Sequence, residues 1–205
     1  MIKIENVDVY GWEAAVRGMR NPMNSWDKSD SDWENNTLGK ADLDLAKRLS
    51  KAGNDHAKYL RMINVTCDIT APLYWWKQFS TYRAGVVQNS TSTMHRLTHK
   101  PFEMSDFSFE HLYAPLQDLR PIINLLNMYR ERYLETKDKN DWWQLIQLLP
   151  SSYNQRRTVQ LNYQVLKSMY FARRNHKLDC WRTFCDWMLT LPYFKEVCVD
   201  VVDNS

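Results

Sequence analysis

Glycine is scarce in this chain, with five residues in 205. A phosphate cradle built from backbone amides needs clustered glycine, and neither G-x-G-x-x-G nor G-x-x-x-x-G-K occurs. Gly-rich phosphate loops are therefore set aside. Cysteine is sparse too. The four, at positions 67, 180, 185 and 198, form no C-x-x-C pair, and the chain is too long to need a disulfide framework. Cys67 lies in an apolar run and reads as a buried thiol, and a reducing compartment is the simplest setting. No run approaches the roughly 20 apolar residues of a membrane span. The opening Met1-Ile2-Lys3-Ile4-Glu5 lacks the apolar stretch of a signal peptide. The expected location is cytoplasmic, with no membrane partner. The formal net charge of +3 is too mild to argue for nucleic-acid binding. His95 and His99 have the i, i+4 spacing of a helical metal pair, but no H-E-x-x-H motif or third ligand accompanies them, and no metal is expected. No nucleophile elbow or catalytic Cys–His pattern is visible.

What is present is a chain of which 44% is hydrophobic, enough for a sizeable core. Nine Trp and eleven Tyr can fill cores, line pockets and cover subunit interfaces. The length fits one domain, taken as 1–205.

Ile2–Tyr10 alternates loosely and predicts an edge strand. Trp12–Met19 predicts a short helix. The polar stretch Asn21–Lys40 reads as a loop that could order over a ligand. Apolar residues at 41, 43, 45, 46 and 49 predict an amphipathic helix over Ala41–Ala52, ended by Gly53, with Asn54 or Asp55 capping the next turn. Met62–Thr70 is the clearest strand, followed by a helix from about Pro72 to Thr81. Arg83–Thr93 reads as an ordered polar loop or extended segment, and Lys100–Phe109 as a loop. Further helices are predicted at about 116–136, 140–149, 157–175 and 179–190, with Asp138 or Asn140 capping the second. The fold class is α+β (α/β): a helix-rich domain around a small β-sheet.

Three constellations could carry chemistry. Asn162, Leu166, Met169 and Arg173 share one helical face, with polar ends suited to a flat heterocycle, or simply a helix with solvated ends. Arg173-Arg174-Asn175-His176-Lys177 could bind phosphates, or stabilise a helix C-terminus. Gln78–Arg96 is rich in hydroxyls and amides that can hold an anion without glycine, or merely cap local structure. Trp75-Trp76 and Trp142-Trp143 read as packing rather than ring-stacking pairs.

Together these segments resemble the flavin-dependent thymidylate synthases from roughly Trp12 to Trp187. His56 matches the start of the family's His-x-Ser/Thr-x-x-Glu, with Lys58 and Arg61 in place of the hydroxyl and the acid. Ala71-Pro72 falls at the family's strand-to-helix proline, and Lys77-Gln78 at its Arg-Gln. Of the signature Arg-His-Arg-x-x-Ser-x-Asn-Glu-x-Ser-x-Arg, the aligned Thr81-Tyr82-Arg83 keeps only Arg83. With one inserted residue, Asn89 and Ser92 match, Ser90 replaces the Glu, and Met94 replaces the last Arg, for which Arg96 lies close. Leu149-Pro150 resembles the family's Leu-Pro without its preceding Arg, and Arg156 or Arg157 could replace that charge. Asn162 and Arg173 match the Asn and the catalytic Arg of the family's long helix.

The resemblance implies a homotetramer with FAD held between subunits. It implies methylation of dUMP to dTMP, with methylenetetrahydrofolate and NADPH as co-substrates and no Cys nucleophile. By the same resemblance Arg173 is catalytic, and Gln78, Ser90, Ser92 and Arg96 bind dUMP. His56, Lys58, Thr81, Tyr82, Arg83, Asn89 and Asn162 contact FAD. The altered signature keeps open a family-like protein that binds flavin or nucleotide without methyl transfer. The basic patch and interleaved aromatics keep open a nucleic-acid-binding module, against which the mild charge counts.

Overall fold

A computed structural model describes residues 2–203. Strand β1 (Lys3–Tyr10) leads into helix α1 (Trp12–Arg20). Gly11 makes this turn at φ 96°, where any Cβ would run into the Met62 carbonyl, so only glycine fits. Helix α2 (Lys40–Lys51) and a 3-10 turn (Ala57–Arg61) precede β2 (Asn64–Pro72), and α3 (Leu73–Phe79) follows directly. Next come β3 (Val87–Ser90), α4 (Thr93–Arg96), α5 (Pro115–Asp118), α6 (Arg120–Thr136) and α7 (Lys139–Leu148). Strand β4 (Asn154–Asn162), α8 (Tyr163–Arg173) and α9 (Asp179–Met188) complete the main elements. The four strands form one sheet in the order β1-β2-β4-β3, so β1 lies at an edge as its alternation predicts. Asn6 adopts the left-handed conformation, φ 51°, in the middle of that edge strand.

The chain forms two compact units. The first holds residues up to Ile4, Asp68–Thr81 and Gln88–Thr158; the second holds Glu5–Cys67, Tyr82–Val87 and the residues from Val159 onward. In the first unit, Leu97, Phe102, Phe107, Leu119, Ile123, Leu126 and Leu145 form a core against which Tyr129 and Tyr153 pack. Trp75, Trp76 and Phe79 of α3 are also fully enclosed, and the Trp76 indole N–H donates to the Gln155 carbonyl at 2.8 Å. The Trp75-Trp76 pair is thus core, as its sequence suggests. In the second unit, Tyr163 is ringed edge-on by Trp12 and Phe194, and Trp181, Phe184 and Met188 of α9 are fully buried.

The loop at 21–40 is ordered through one carboxylate. Asp42, with no exposed surface, accepts from Arg20 Nε, Ser29 Oγ and Ser31 Oγ, each at 2.6 Å. Burial alone would raise its pKa, but the hydrogen bonds from Ser29, Ser31 and Arg20 and the Arg20 charge hold it below the usual carboxylate value. Asp30 caps α2 by accepting from the Ala41 and Asp42 backbone N–H groups.

Several expectations are corrected. Residues 157–162 are strand, not helix, because Val159 and Leu161 are buried in alternation with exposed Thr158 and Gln160. Helix α8 starts at Tyr163, where the Asn162 side chain accepts from Val165 N–H at 3.0 Å. Of the two readings of 83–93, a polar loop or an extended segment, the second holds for Val87–Ser90, which form β3. Neither Asn54 nor Asp55 caps the turn at 57–61; His56 precedes it without a side-chain cap. The predicted helix at 116–136 is divided at Leu119 into α5 and α6. Asp138, not Asn140, caps α7.

Candidate active site

In the second unit, the segment after Gly53 brings Asp55, His56 and Lys58 into the lining of a cleft of about 270 Å³. Met19, Leu49, Tyr59 and Met62 give it apolar walls, and Pro22 brings the 21–40 loop to its rim. Ligand pockets for drug-sized molecules start at about 300 Å³. A cleft of this size accepts one ring system or one half of a large cofactor rather than the whole.

Arg173 ends α8 and is half-buried. Its Nε donates to the Tyr82 hydroxyl at 2.9 Å, and its guanidinium lies 4.9 Å from the centre of the fully buried Trp181 ring. An aromatic face favours the cation, and the hydroxyl fixes its in-plane direction. His176, beside this cluster, is held below its ordinary pKa by burial and by the charges of Arg173, Arg182 and Lys177. Its Nδ1 accepts the Leu178 N–H at 3.1 Å, which fits the neutral ring.

Asn162 shares no ring-binding face with Arg173. Leu166 and Met169, between them in sequence, are wholly buried, so that face of α8 is core rather than a platform for a heterocycle. The Asn162 amide nitrogen instead approaches Gly85, where a Cβ would stand 3.0 Å from it and 3.1 Å from Val165 Cγ2. Gly85, at φ 73°, keeps the 82–87 turn close to the start of α8. Arg83 is exposed in that turn, and its carbonyl accepts from Val86 N–H.

In the first unit, Ser92 lines a smaller cleft of about 140 Å³ with Thr70, Thr91, Thr93, Gln155 and Arg156. Ser92 Oγ accepts from His95 N–H at 3.2 Å, and its own O–H can still donate. Arg96 is exposed on α4, and its charge acts on the Tyr153 hydroxyl, another wall of the cleft. Asn89 and Ser90 are exposed on β3. Gln78 is half-buried at the end of α3, and its carbonyl accepts from both the N–H and the hydroxyl of exposed Thr81.

Arg157 is committed elsewhere. It donates to Ser80, Gln88 and Gln155 and lies 4.3 Å from the centre of the Trp76 ring. Arg156 instead pairs with Asp68, its Nη2 2.6 Å from Oδ2, while Thr158 Oγ1 holds the other Asp68 oxygen. Sequence reasoning missed Asp68, Thr91, Thr93 and Trp181. A hydroxyl-rich run flags the threonines, but nothing in sequence ties Asp68 to Arg156 or Trp181 to Arg173.

All four cysteines are buried, and none is joined in a disulfide. Burial pushes the Cys185 and Cys198 thiols up to about 12, so both are protonated at neutral pH. Among the described residues no group of His, Cys, Asp or Glu is arranged to hold a metal, and no helix is long and apolar enough to cross a membrane.

This arrangement has the fold of the flavin-dependent thymidylate synthases, a helix-rich chain around a small four-stranded sheet. The match is to thymidylate synthase X (ThyX) from Helicobacter pylori, in a structure with FAD and dUMP. It covers 98% of this chain and 99% of that one, at 19% identity and a TM-score of 0.70. A second structure of ThyX from Helicobacter pylori, complexed with FAD and dUMP, covers 97% and 99% at the same identity and TM-score, 19% and 0.70. The UMP/dUMP methylase PolB from Streptomyces cacaoi, bound with 5-Br dUMP, covers 93% of this chain and 89% of its own at 16% identity, with a TM-score of 0.61. No family model and no curated protein matches the sequence.

Proposed function

We propose that the chain is a flavin-dependent thymidylate synthase, acting as one domain, that methylates dUMP to dTMP with FAD, methylenetetrahydrofolate and NADPH as a cytoplasmic homotetramer. The observation that carries this reading is a fold shared over 98% of the chain with a protein whose structure holds FAD and dUMP. The fold alone does not select a chemistry. The residues add support, because Arg173 is presented at the end of α8 by Tyr82 and Trp181.

The cofactor fits the donor set of the second unit. The cleft at His56 and Lys58 offers apolar walls for a flat ring, with Lys58 a cation and Asp55 a carboxylate beside them, and Gly85 keeps Asn162 close to the 82–87 turn. His56, Lys58, Tyr82, Arg83 and Asn162 of this unit would hold FAD, and Thr81 and Asn89 are further FAD contacts on the resemblance alone. When bound, the flavin supplies the redox chemistry. The protein's own part is to bind, orient and polarise. Gln78, Ser90, Ser92 and Arg96 hold dUMP. Arg173 takes the uracil edge and stabilises the negative charge that develops as C5 becomes nucleophilic.

Removing such a donor costs about 100- to 1000-fold in turnover. Arg173→Ala is therefore expected to lose dTMP formation by at least that factor, with an unchanged near-UV circular dichroism spectrum. An unaltered rate would remove Arg173 from its role. Incubation of wild-type protein with dUMP, methylenetetrahydrofolate, NADPH and FAD, assayed for dTMP, decides the activity itself. A yellow protein that binds dUMP yet forms no dTMP supports the second reading, a relative that keeps its ligands without methyl transfer. Ser90 and Met94 in place of the family's Glu and Arg favour that reading.

A further inference from the structure

We infer that His176 is a positioning residue for Arg173: its neutral ring locks the turn that joins α8 to α9, and protonation releases that turn. This rests on the role of Arg173 above and adds the side chain that holds it from behind. All the residues concerned belong to the second unit. His176 follows α8 and is half-buried. Its N–H donates to the Arg173 carbonyl at 2.9 Å, and its Nδ1 accepts from Leu178 N–H at 3.1 Å. The Leu178 carbonyl in turn accepts from Trp181 N–H at 3.0 Å, in the first turn of α9. Against the Trp181 ring lie the Arg173 guanidinium, 4.9 Å from its centre, the Tyr82 ring at 6.0 Å and the His176 ring, edge-on at 6.3 Å. A chain of contacts thus runs from Nδ1 through Leu178 to the indole beneath the guanidinium.

The surroundings decide when this lock holds. An imidazole accepts at Nδ1 only while its proton sits on Nε2. The cation carries a proton on both nitrogens, so protonation sets two donors against each other at Leu178. Burial, and then the charges of Arg173 on α8, Arg182 on α9 and Lys177 in the turn, keep the ring neutral to lower pH than an ordinary histidine. Arg182 Nη1 donates to the His176 and Lys177 carbonyls at 2.7 and 3.1 Å, and its Nη2 pairs with Asp179 at 3.3 Å. Arg174 turns onto Phe171, 5.0 Å from the ring centre. The bonds to backbone carbonyls are indifferent to acid, and the Nδ1 bond is the link that a proton removes. A charged His176 would also add like charge beside Arg173.

The experiment measures kcat for dTMP formation from about pH 5 to about pH 8 in FAD-loaded wild type, His176→Asn and His176→Phe. Amide exchange of residues 174–179 is followed in the same proteins. Asn places an acceptor oxygen as far from the backbone as Nδ1 and does not titrate, whereas Phe keeps a ring beside Trp181 without an acceptor. Wild-type kcat is expected to fall about tenfold as pH drops below the ordinary histidine value of 6.5. His176→Asn should show no such limb. The dUMP phosphate and the flavin titrate alike in both proteins, so the comparison isolates the imidazole. His176→Phe should lie about tenfold low at neutral pH, and His176→Asn should recover most of that loss. An acid limb equally deep in His176→Asn overturns the assignment and leaves the enzyme reading standing. Amide exchange, corrected for the intrinsic rate at each pH, reads the lock without substrate. Protection lost on acidification in wild type but kept in His176→Asn supports the lock, and does so even where no dTMP forms, a result that removes the enzyme reading alone. Protection that follows pH identically in the two proteins overturns the lock.

Discussion

Arg173 has the edge of its guanidinium on a tyrosine hydroxyl and its face on a tryptophan. Trp181 is wholly buried, so its loss would remove core as well as a cation–π partner. Tyr82→Phe is the cleaner probe, because it deletes only the acceptor of the Arg173 Nε–H bond. Small misplacements of a catalytic group cost up to about a hundredfold. Tyr82→Phe is expected to lower kcat about tenfold with little change in KM for dUMP and an unaltered melting temperature. Steady-state kinetics checks this, and a change in KM alone would show that Tyr82 serves binding instead. The link itself was hidden in the sequence. Tyr82 and Arg173 are 91 positions apart, and no local pattern relates them.

Among the elements, the 21–40 segment is held by the Asp42 carboxylate, which has no exposed surface and accepts from three side chains, those of Arg20, Ser29 and Ser31. Breaking a buried ion pair by removing one partner costs about 3–5 kcal/mol. Asp42→Ala should destabilise by that amount in urea denaturation at pH 7. The Asp42 pKa is depressed in the folded chain, so its stabilisation is present above the usual value of 3.8 and is lost as pH falls through the lower folded value. The difference between wild type and Asp42→Ala should therefore shrink below about pH 4. A difference that stays constant down to pH 2 would refute the linkage.

The helix α2 and the strand β2 are legible in sequence because each carries a long, regular apolar pattern. Strand β4 is not, because Val159 and Leu161 are too few to distinguish period two from a backward extension of the α8 pattern. Strand β3 is four residues of mixed polarity and becomes a strand only through its neighbour β4. The candidate site was legible as residue types. Ser92 and Arg156 were both visible, but only the fold places them on one cleft and gives Arg157 to Trp76.

For the whole molecule, the proposed tetramer needs an apolar surface. Helix α6 presents Ile122, Leu125 and Met128, at three-residue intervals and each about two-fifths exposed. A stripe of this kind fits a subunit contact. Leu125→Glu is expected to shift the protein to smaller species in light scattering after gel filtration. A wild-type protein that elutes as a monomer would refute the assembly, and a Leu125→Glu variant that stays tetrameric would place the contact elsewhere.

The two borders of the sheet bear on how copies can meet. One border is β3, only four residues long, and the other is β1, whose run is interrupted by left-handed Asn6 and studded with Lys3, Glu5 and Asp8. Such borders discourage strand-by-strand growth into fibrils. Replacing Asn6 by a β-branched residue would straighten that border and expose the cell to an aggregation hazard unrelated to catalysis.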